Sequence, residues 1–291
     1  MVSQPPSPAN NPDSALRYSD RFDFPLTLTE LWFWQINTHH PKWKIRHSLD
    51  RLAFKSLRNY YFLPGRSAII TVRQQRARFS QAKWSTALRV GEALSRLPTI
   101  QAIFVTGALA MDNSPKFDDI DLMIVTSPHT LWLTRLVVVA LLSLTGLRRP
   151  TSLPEHASPR VSGKTCDNLY LDTNHLIIHH RNLYTAHEIL QAKVIFDRSN
   201  IHNQFLKANS WTRSLLPIAF SESLKKSEVS KLKKFDLISN SKFWISNFIL
   251  SPINFLFFLI QYIYMYPKIT SERVSLGYAF FHPRSDSIGS R

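Results

Sequence analysis

The sequence predicts a mixed α/β (α+β) protein. A core with a short mixed sheet and packed helices follows a small helical and hairpin module and precedes a helical C-terminal region. Two apolar runs of strand length flank a polar loop at 100–127, helical patterns surround them, and the 291 residues suffice for about two domains. We therefore expect a tail at 1–20, a basic module at 21–98, the core at 99–212 and the helical region at 213–291.

Composition limits the partners and the compartment. The chain has 36 Lys and Arg residues against 20 Asp and Glu residues, a net charge of +16, which favours a polyanion: nucleic acid, nucleotide phosphate or an acidic membrane face. Its single cysteine, Cys166, excludes an internal disulfide framework. The first residues lack the apolar stretch of a secretory signal, so we expect a cytoplasmic protein.

The module at 21–98 follows a tail rich in Pro, Ser and Asn, which we expect to be flexible. LTLTELWFWQI and the residues at 43–57 predict two short helices. YYFL and RSAIITV, on either side of Pro64-Gly65, predict a hairpin. Helix, helix and hairpin in this order are typical of a winged-helix module.

Basic residues are concentrated at 41–90, which contains twelve Lys and Arg residues and one acid, Asp50. A long helix predicted over 73–97 is expected to leave Arg73, Arg76, Arg78 and Lys83 in solvent. Interleaved aromatic residues suit base stacking, so nucleic acid is the partner that this segment predicts. The alternative is a basic helix face that is merely solvated.

The segment at 100–127 predicts the chemistry. An apolar strand, Thr106-Gly107, a short ALAM helix and a polar loop precede a strand that holds Asp119 and Asp121. Strand alternation places both carboxylates on one face, where they repel each other and attract a hard cation such as Mg²⁺. Gly107 permits close backbone approach, and helix amides attract phosphate. The alternative is a solvated strand end.

These residues resemble a known signature. Gly107-Ala108, ten intervening residues and then Asp119-Ile120-Asp121-Leu122 are similar to the motif of the polymerase-β-like nucleotidyltransferase superfamily. The wider run from FDFPLT through YTAHEILQAK to AFFHPR resembles uncharacterised bacterial nucleotidyltransferase-domain proteins with an N-terminal winged-helix-like region. Ala108 departs from the motif, where most members carry Ser or Gly, and Thr106 offers a hydroxyl instead.

The resemblance implies transfer of a nucleoside monophosphate from an NTP such as ATP, bound with Mg²⁺ or Mn²⁺, to an acceptor hydroxyl. Asp119 and Asp121 would hold the metal and act in catalysis. Thr106, Gly107 and Ala108 would lie against the triphosphate.

Two further site residues follow from the resemblance. A third carboxylate is expected from the strand at 165–171, which offers Asp167 or Asn168, and we predict Asp167. If Asn168 faces inward instead, a base is absent. Arg135 is predicted to reach the triphosphate; the alternative is a helix-start residue that snorkels to the surface.

Two apolar stretches raise the question of a membrane. The one at 131–147 predicts a buried core helix. The one at 243–266 lacks charge, so that spanning, peripheral attachment and packing within a soluble fold all stay open. Asn247, Asn254 and Gln261 recur on one face of it, and Pro252 would kink it.

Two functions remain in view. The first is a nucleotidyltransferase whose basic module recruits the acceptor. The second is a catalytically degenerate nucleic-acid-binding or regulatory protein, membrane-associated through 243–266. Nucleotidyltransferases of this kind share one core while their acceptors differ, so the acceptor and the base of the NTP stay open.

Overall fold

The computed structural model describes residues 13–51, 56–150, 159–233, 246–268 and 272–281. Its helices are α1 Ser14–Asp20, α2 Leu28–Phe33, α3 Lys42–Arg51, α4 Ile69–Ser95, α5 Gly107–Ala110, α6 Leu131–Leu144, α7 Leu183–Gln191, α8 Ile201–Ala208, α9 Thr212–Leu215, α10 Pro217–Lys233 and α11 Ser246–Met265. Its strands are β1 Ser56–Leu57, β2 Tyr60–Tyr61, β3 Ile100–Val105, β4 Ile120–Thr126, β5 Thr165–Asp172, β6 Lys193–Asp197, β7 Arg273–Val274 and β8 Tyr278–Phe280. The predicted α/β class is confirmed.

Six strands form one mixed sheet in the order β6-β3-β4-β5-β8-β7. The central strand β4 pairs antiparallel with β3 and parallel with β5. Residues of β3 alternate between two hydrophobic cores, with Ala102 and Phe104 in one and Ile103 and Val105 in the other. Both faces of the sheet are therefore covered, which explains why these strands are apolar along their length.

The two cores have different cover. The N-terminal helices, α7, α8 and α10 supply the core that contains Phe104. Helices α4 and α6 supply the other, which contains Trp132 and Tyr170. The predicted core helix at 131–147 is thus present as α6, although Leu144 near its end is 86% exposed.

The N-terminal region differs from its prediction in two places. Helix α1 lies inside the segment predicted as a tail, and its Leu16 is 1% exposed because it packs into the core; residues 1–12 of that tail lie outside the described part of the chain. The hairpin turns at Arg58 and Asn59, whose φ angles are +53° and +66°, rather than at Pro64-Gly65. RSAIITV instead leads into α4.

Three of the four basic residues of α4 predicted to face solvent are half-buried or buried and contact other parts of the protein. Arg73 Nη2 lies 2.6 Å from Glu30 Oε1, and Arg76 Nη1 donates to the Phe22 carbonyl over 2.8 Å. Lys83 is 5% exposed and donates to Ser114 Oγ over 2.7 Å. Arg78 is exposed as predicted.

The C-terminal apolar segment packs against the core. Among the described residues no helix is long and apolar enough to span a membrane, so the interpretation of 243–266 as a membrane-spanning segment is wrong. Its polar stripe faces α6: Asn254 Oδ1 accepts from the Trp132 amide over 2.8 Å, and Gln261 Oε1 accepts from Arg135 Nη1 over 2.6 Å. Residues 243–245 and the side chain of Asn247 lie outside the described part.

Candidate active site

Two carboxylates meet at the start of the central strand. Asp119 directly precedes β4 and is 4% exposed, and Asp121 is the second residue of the strand and half-buried. Their oxygens and the sulfur of Cys166 lie within 4.8 Å of one another. The predicted common face of Asp119 and Asp121 is confirmed, and the donors are close enough to share one cation.

Cys166 joins this group through the parallel pairing of β4 with β5, which sets it opposite Asp121. Burial and the neighbouring carboxylates raise the pKa of its thiol. Sequence reasoning gave Cys166 no place in the site, because the pairing register of β4 with β5 cannot be read from either strand alone.

The carboxylates repel each other. Burial and the charge of Asp121 raise the pKa of Asp119 to about 6, and Arg149 opposes this shift with its Nη1 2.8 Å from Asp119 Oδ2. Burial lowers the pKa of Lys83, while Asp118, Asp119 and Asp121 act to raise it. A bound divalent cation would relieve this repulsion, and carboxylate oxygens are the ligands that Mg²⁺ prefers.

Gly107 approaches Asp121 so closely that no side chain fits between them. Its φ is +63°, and a Cβ added there would lie 2.5 Å from Asp121 Oδ2. The Thr106 amide also donates to the Asp121 carbonyl over 3.0 Å, which fixes the turn against β4. The structure therefore brings Thr106, Gly107 and Ala108 to the carboxylates.

Strand β5 presents an amide where a third carboxylate was predicted. Asn168 Nδ2 donates to Asp121 Oδ1 over 2.6 Å. The register shifts between Asp121 and Met123. Asp121 pairs with Cys166 and Met123 pairs with Leu169, so β5 has one residue more than β4 over this stretch. This bulge turns Asn168 toward the site.

Asp167 and Arg135 are not brought to the carboxylate pair. Asp167 lies on the opposite face, where Arg148 Nε contacts it over 2.9 Å and the Tyr170 hydroxyl donates to it over 3.2 Å. Arg135 contacts Gln261, and its guanidinium lies 4.4 Å from the centre of the Phe281 ring. Neither is among the described residues that line the cavity beside Asp121.

A cavity of about 820 Å³ opens beside the carboxylates. Thr106, Gly107, Ala108, Asp119, Asp121 and Asn168 line one part of it. Aromatic and histidine side chains line another part of it: Tyr18, Phe22, Phe24 and Trp34 from the N-terminal segment, His179 and His180 from the segment before α7, Tyr184 and His187 from α7, and Tyr278 and Phe280 from β8. Its volume suits one small molecule or nucleotide.

Comparisons with protein-family models, with curated proteins and with solved structures find no match for this chain. The carboxylate pair, the glycine turn and the cavity are therefore interpreted from their own geometry and chemistry.

Proposed function

We propose that the protein is a metal-dependent nucleotidyltransferase that transfers a nucleoside monophosphate from an NTP to an acceptor hydroxyl. The observation that carries this proposal is the placement of Gly107, at positive φ, against Asp121, with Asp119 in the same cluster. A side-chain-free turn beside paired carboxylates suits close approach of a metal-bound phosphate. The sequence resemblance supports the same activity.

Asp119 and Asp121 would hold Mg²⁺, which supplies positive charge to offset that of the triphosphate. The backbone at Gly107 leaves room for phosphate oxygens beside Asp121. Asn168 orients the Asp121 carboxylate through its 2.6 Å hydrogen bond, but a carboxamide cannot take up a proton at neutral pH.

In the transfer, the acceptor oxygen bonds to the α-phosphorus as the bond to the leaving pyrophosphate breaks. Asn168 cannot act as a base, so the acceptor proton would pass to water or to another group that lines the cavity, such as Glu188. Catalysis then depends mainly on positioning and charge neutralisation.

The test is transfer of label from α-³²P NTPs, with Mg²⁺ or Mn²⁺, to pools of RNA, protein and small metabolites. We expect transfer by the wild type and at least a hundredfold less by Asp119→Asn and Asp121→Asn. Asp50→Asn, which removes an exposed carboxylate, is the matched control and should retain activity. Absence of transfer, or its survival in both site variants, would refute the proposal.

One observation favours a second function, nucleotide binding without transfer. Asn168 occupies the position where the resemblance implies a carboxylate that helps activate the acceptor. A regulatory protein could retain the metal and nucleotide site and lose only this group.

Asn168→Asp separates the two functions. If the wild type binds NTP in equilibrium dialysis without transferring it and Asn168→Asp gains transfer, the protein is a binding protein. If the wild type already transfers label, it is an enzyme. Asn174→Asp, at an exposed asparagine, controls for the added charge.

A further inference from the structure

Helix α11 presents an apolar face to solvent. Large apolar side chains of α11 and of the turn that follows it are between 38% and 71% exposed: Ile253, Phe255, Leu256, Leu259, Ile260, Ile263, Tyr264 and Tyr266. We call these eight side chains the α11 face. Those within the helix lie on one half of its circumference, and the opposite half, which carries Asn254 and Gln261, packs against α6. An exposed apolar face of this kind marks an interaction surface.

The area of the α11 face matches what one subunit contributes to a stable dimer. Large side chains present roughly 150–250 Å² each, so eight of them, about half exposed, leave on the order of 800 Å² in solvent. One partner of a stable interface contributes about 800 Å². The largest apolar patch of a typical monomer is smaller, about 300–600 Å².

The lack of charge on α11 lets two copies approach through this face. The chain has a net charge of +16, so two copies repel each other in most orientations. Residues 243–267 contain no Asp, Glu, Lys or Arg. Two copies that meet through α11 therefore bring none of its side chains into like-charge contact and remove no ion of this helix from water.

An acidic lipid surface fits this helix less well than a second copy does. Helices that lie on acidic membranes carry Lys and Arg on their polar face. In α11 the buried polar residues are Asn254 and Gln261, which are uncharged and bind the backbone and Arg135 of α6. The helix therefore offers no cation to an anionic headgroup.

We propose that two copies of the chain form a symmetric dimer through the α11 face. In a two-fold dimer the same patch is buried on both subunits, so an apolar face without charge is complementary to itself. No described residue of α6 or α11 lines the cavity beside Asp121. The dimer leaves both candidate active sites open, and the inference does not depend on the proposed function.

The test is sedimentation velocity of the full chain over a concentration series up to about 100 µM. We expect a monomer–dimer equilibrium. Raising NaCl from about 0.1 M to about 1 M should strengthen the dimer, because salt screens the repulsion between two cationic copies and leaves apolar contacts in place. A dimer that dissociates at the higher salt would be held by charged groups or by a bound polyanion and would overturn the proposal.

Leu256→Glu and Leu88→Glu form a matched pair. Leu256 lies on the α11 face and is 55% exposed, and Leu88 lies on α4 and is 53% exposed. Leu256→Glu places two like charges in the interface, so we expect the dissociation constant of the dimer to rise at least a hundredfold. Leu88→Glu adds the same charge elsewhere and should leave that constant within about threefold of the wild-type value.

If circular dichroism shows that Leu256→Glu does not fold, Ile263→Glu replaces it at a position that is 71% exposed. A wild type that stays monomeric throughout the series, or a dimer as tight in the α11 variant as in the wild type, would overturn the proposal. A monomer that floats with phosphatidylcholine vesicles, and no longer does so in the α11 variant, would assign the face to lipid instead.

Discussion

At the scale of single residues, two features of Gly107 disfavour a side chain: its backbone conformation and its close contact with Asp121. Its φ of +63° disfavours side chains, and its Cα faces the Asp121 carboxylate across a space that a Cβ would fill. Gly146 has a φ of +64° with no atom near a Cβ added there. The two glycines therefore share the backbone requirement and differ in the close contact.

Comparing Gly107→Ala with Gly146→Ala isolates that contact. Both variants should lose about 1 kcal/mol of unfolding free energy from the left-handed backbone. Gly107→Ala should lose more and should also weaken Mn²⁺ binding, because the methyl group displaces Asp121. Urea unfolding and Mn²⁺ titration measure the two effects. Equal losses, with metal binding intact in both variants, would contradict this account.

The raised pKa of Asp119 predicts a pH-dependent stability. The carboxyl group has a pKa of about 6 in the folded protein against an ordinary value of 3.8, so between these pH values the folded state binds the extra proton. The unfolding free energy should therefore fall as pH rises from 4 to 8. The expected loss from this group is at most about 3 kcal/mol.

Asp119→Asn should remove this dependence because the amide does not titrate. Urea unfolding at pH 4.5 and pH 8, without divalent cations, measures it, with Asp50→Asn as the control that keeps the wild-type slope. Added Mg²⁺ should stabilise the wild type at pH 8 and leave Asp119→Asn nearly unchanged. If the unfolding free energy of Asp119→Asn depended on pH as strongly as that of the wild type, the dependence would arise from another group.

At the scale of elements, β4 could be predicted and β5 could not. Alternation within one strand places Asp119 and Asp121 on one face, and the structure agrees. In β5 the same alternation predicts that Asp167 shares a face with Leu169 and Leu171, which is the face of the site. The bulge reverses this placement and depends on the pairing with β4, which the sequence of β5 alone does not contain.

Helix α11 shows how a few polar residues orient an apolar helix. Asn254 Oδ1 accepts from the amides of Trp132 and Leu133, at the first turn of α6, where backbone donors lack partners within the helix. The sequence shows the spacing of Asn254 and Gln261 but not what they face. Without that partner, a charge-free stretch of this length also fits a membrane.

Replacing the cap between these helices should destabilise the fold. Asn254→Leu leaves two buried amides without an acceptor, and we expect a loss of about 2 kcal/mol in unfolding free energy. Ile253→Leu, at the neighbouring exposed position, should change it by less than about 0.5 kcal/mol. Thermal and urea unfolding measure both, and a neutral Asn254→Leu would show that packing alone holds α11.

At the scale of the whole molecule, the excess of twelve basic residues over one acid at 41–90 overstates the positive charge that this segment presents. Arg66 and Arg76 contact Asp23, and Arg73 contacts Glu30. These partners lie more than forty positions away in the sequence, so a local excess of basic residues could not reveal them. The nucleic acid predicted as a partner of 41–90 would therefore have to contact exposed basic residues such as Arg78.

Arg73→Met and Arg78→Met separate structural from surface charge on one helix. Arg73 contacts both oxygens of Glu30 over 2.9 and 2.6 Å, donates to the Pro25 carbonyl and lies 4.0 Å from the centre of the Phe24 ring. Its loss leaves Glu30, largely buried, without its cation, and we expect about 3 kcal/mol less unfolding free energy. Arg78→Met should change it by about 0.5 kcal/mol or less. Urea unfolding of both variants measures the difference. Equal losses would mean that the contacts of Arg73 with Glu30 and Pro25 do not stabilise the fold.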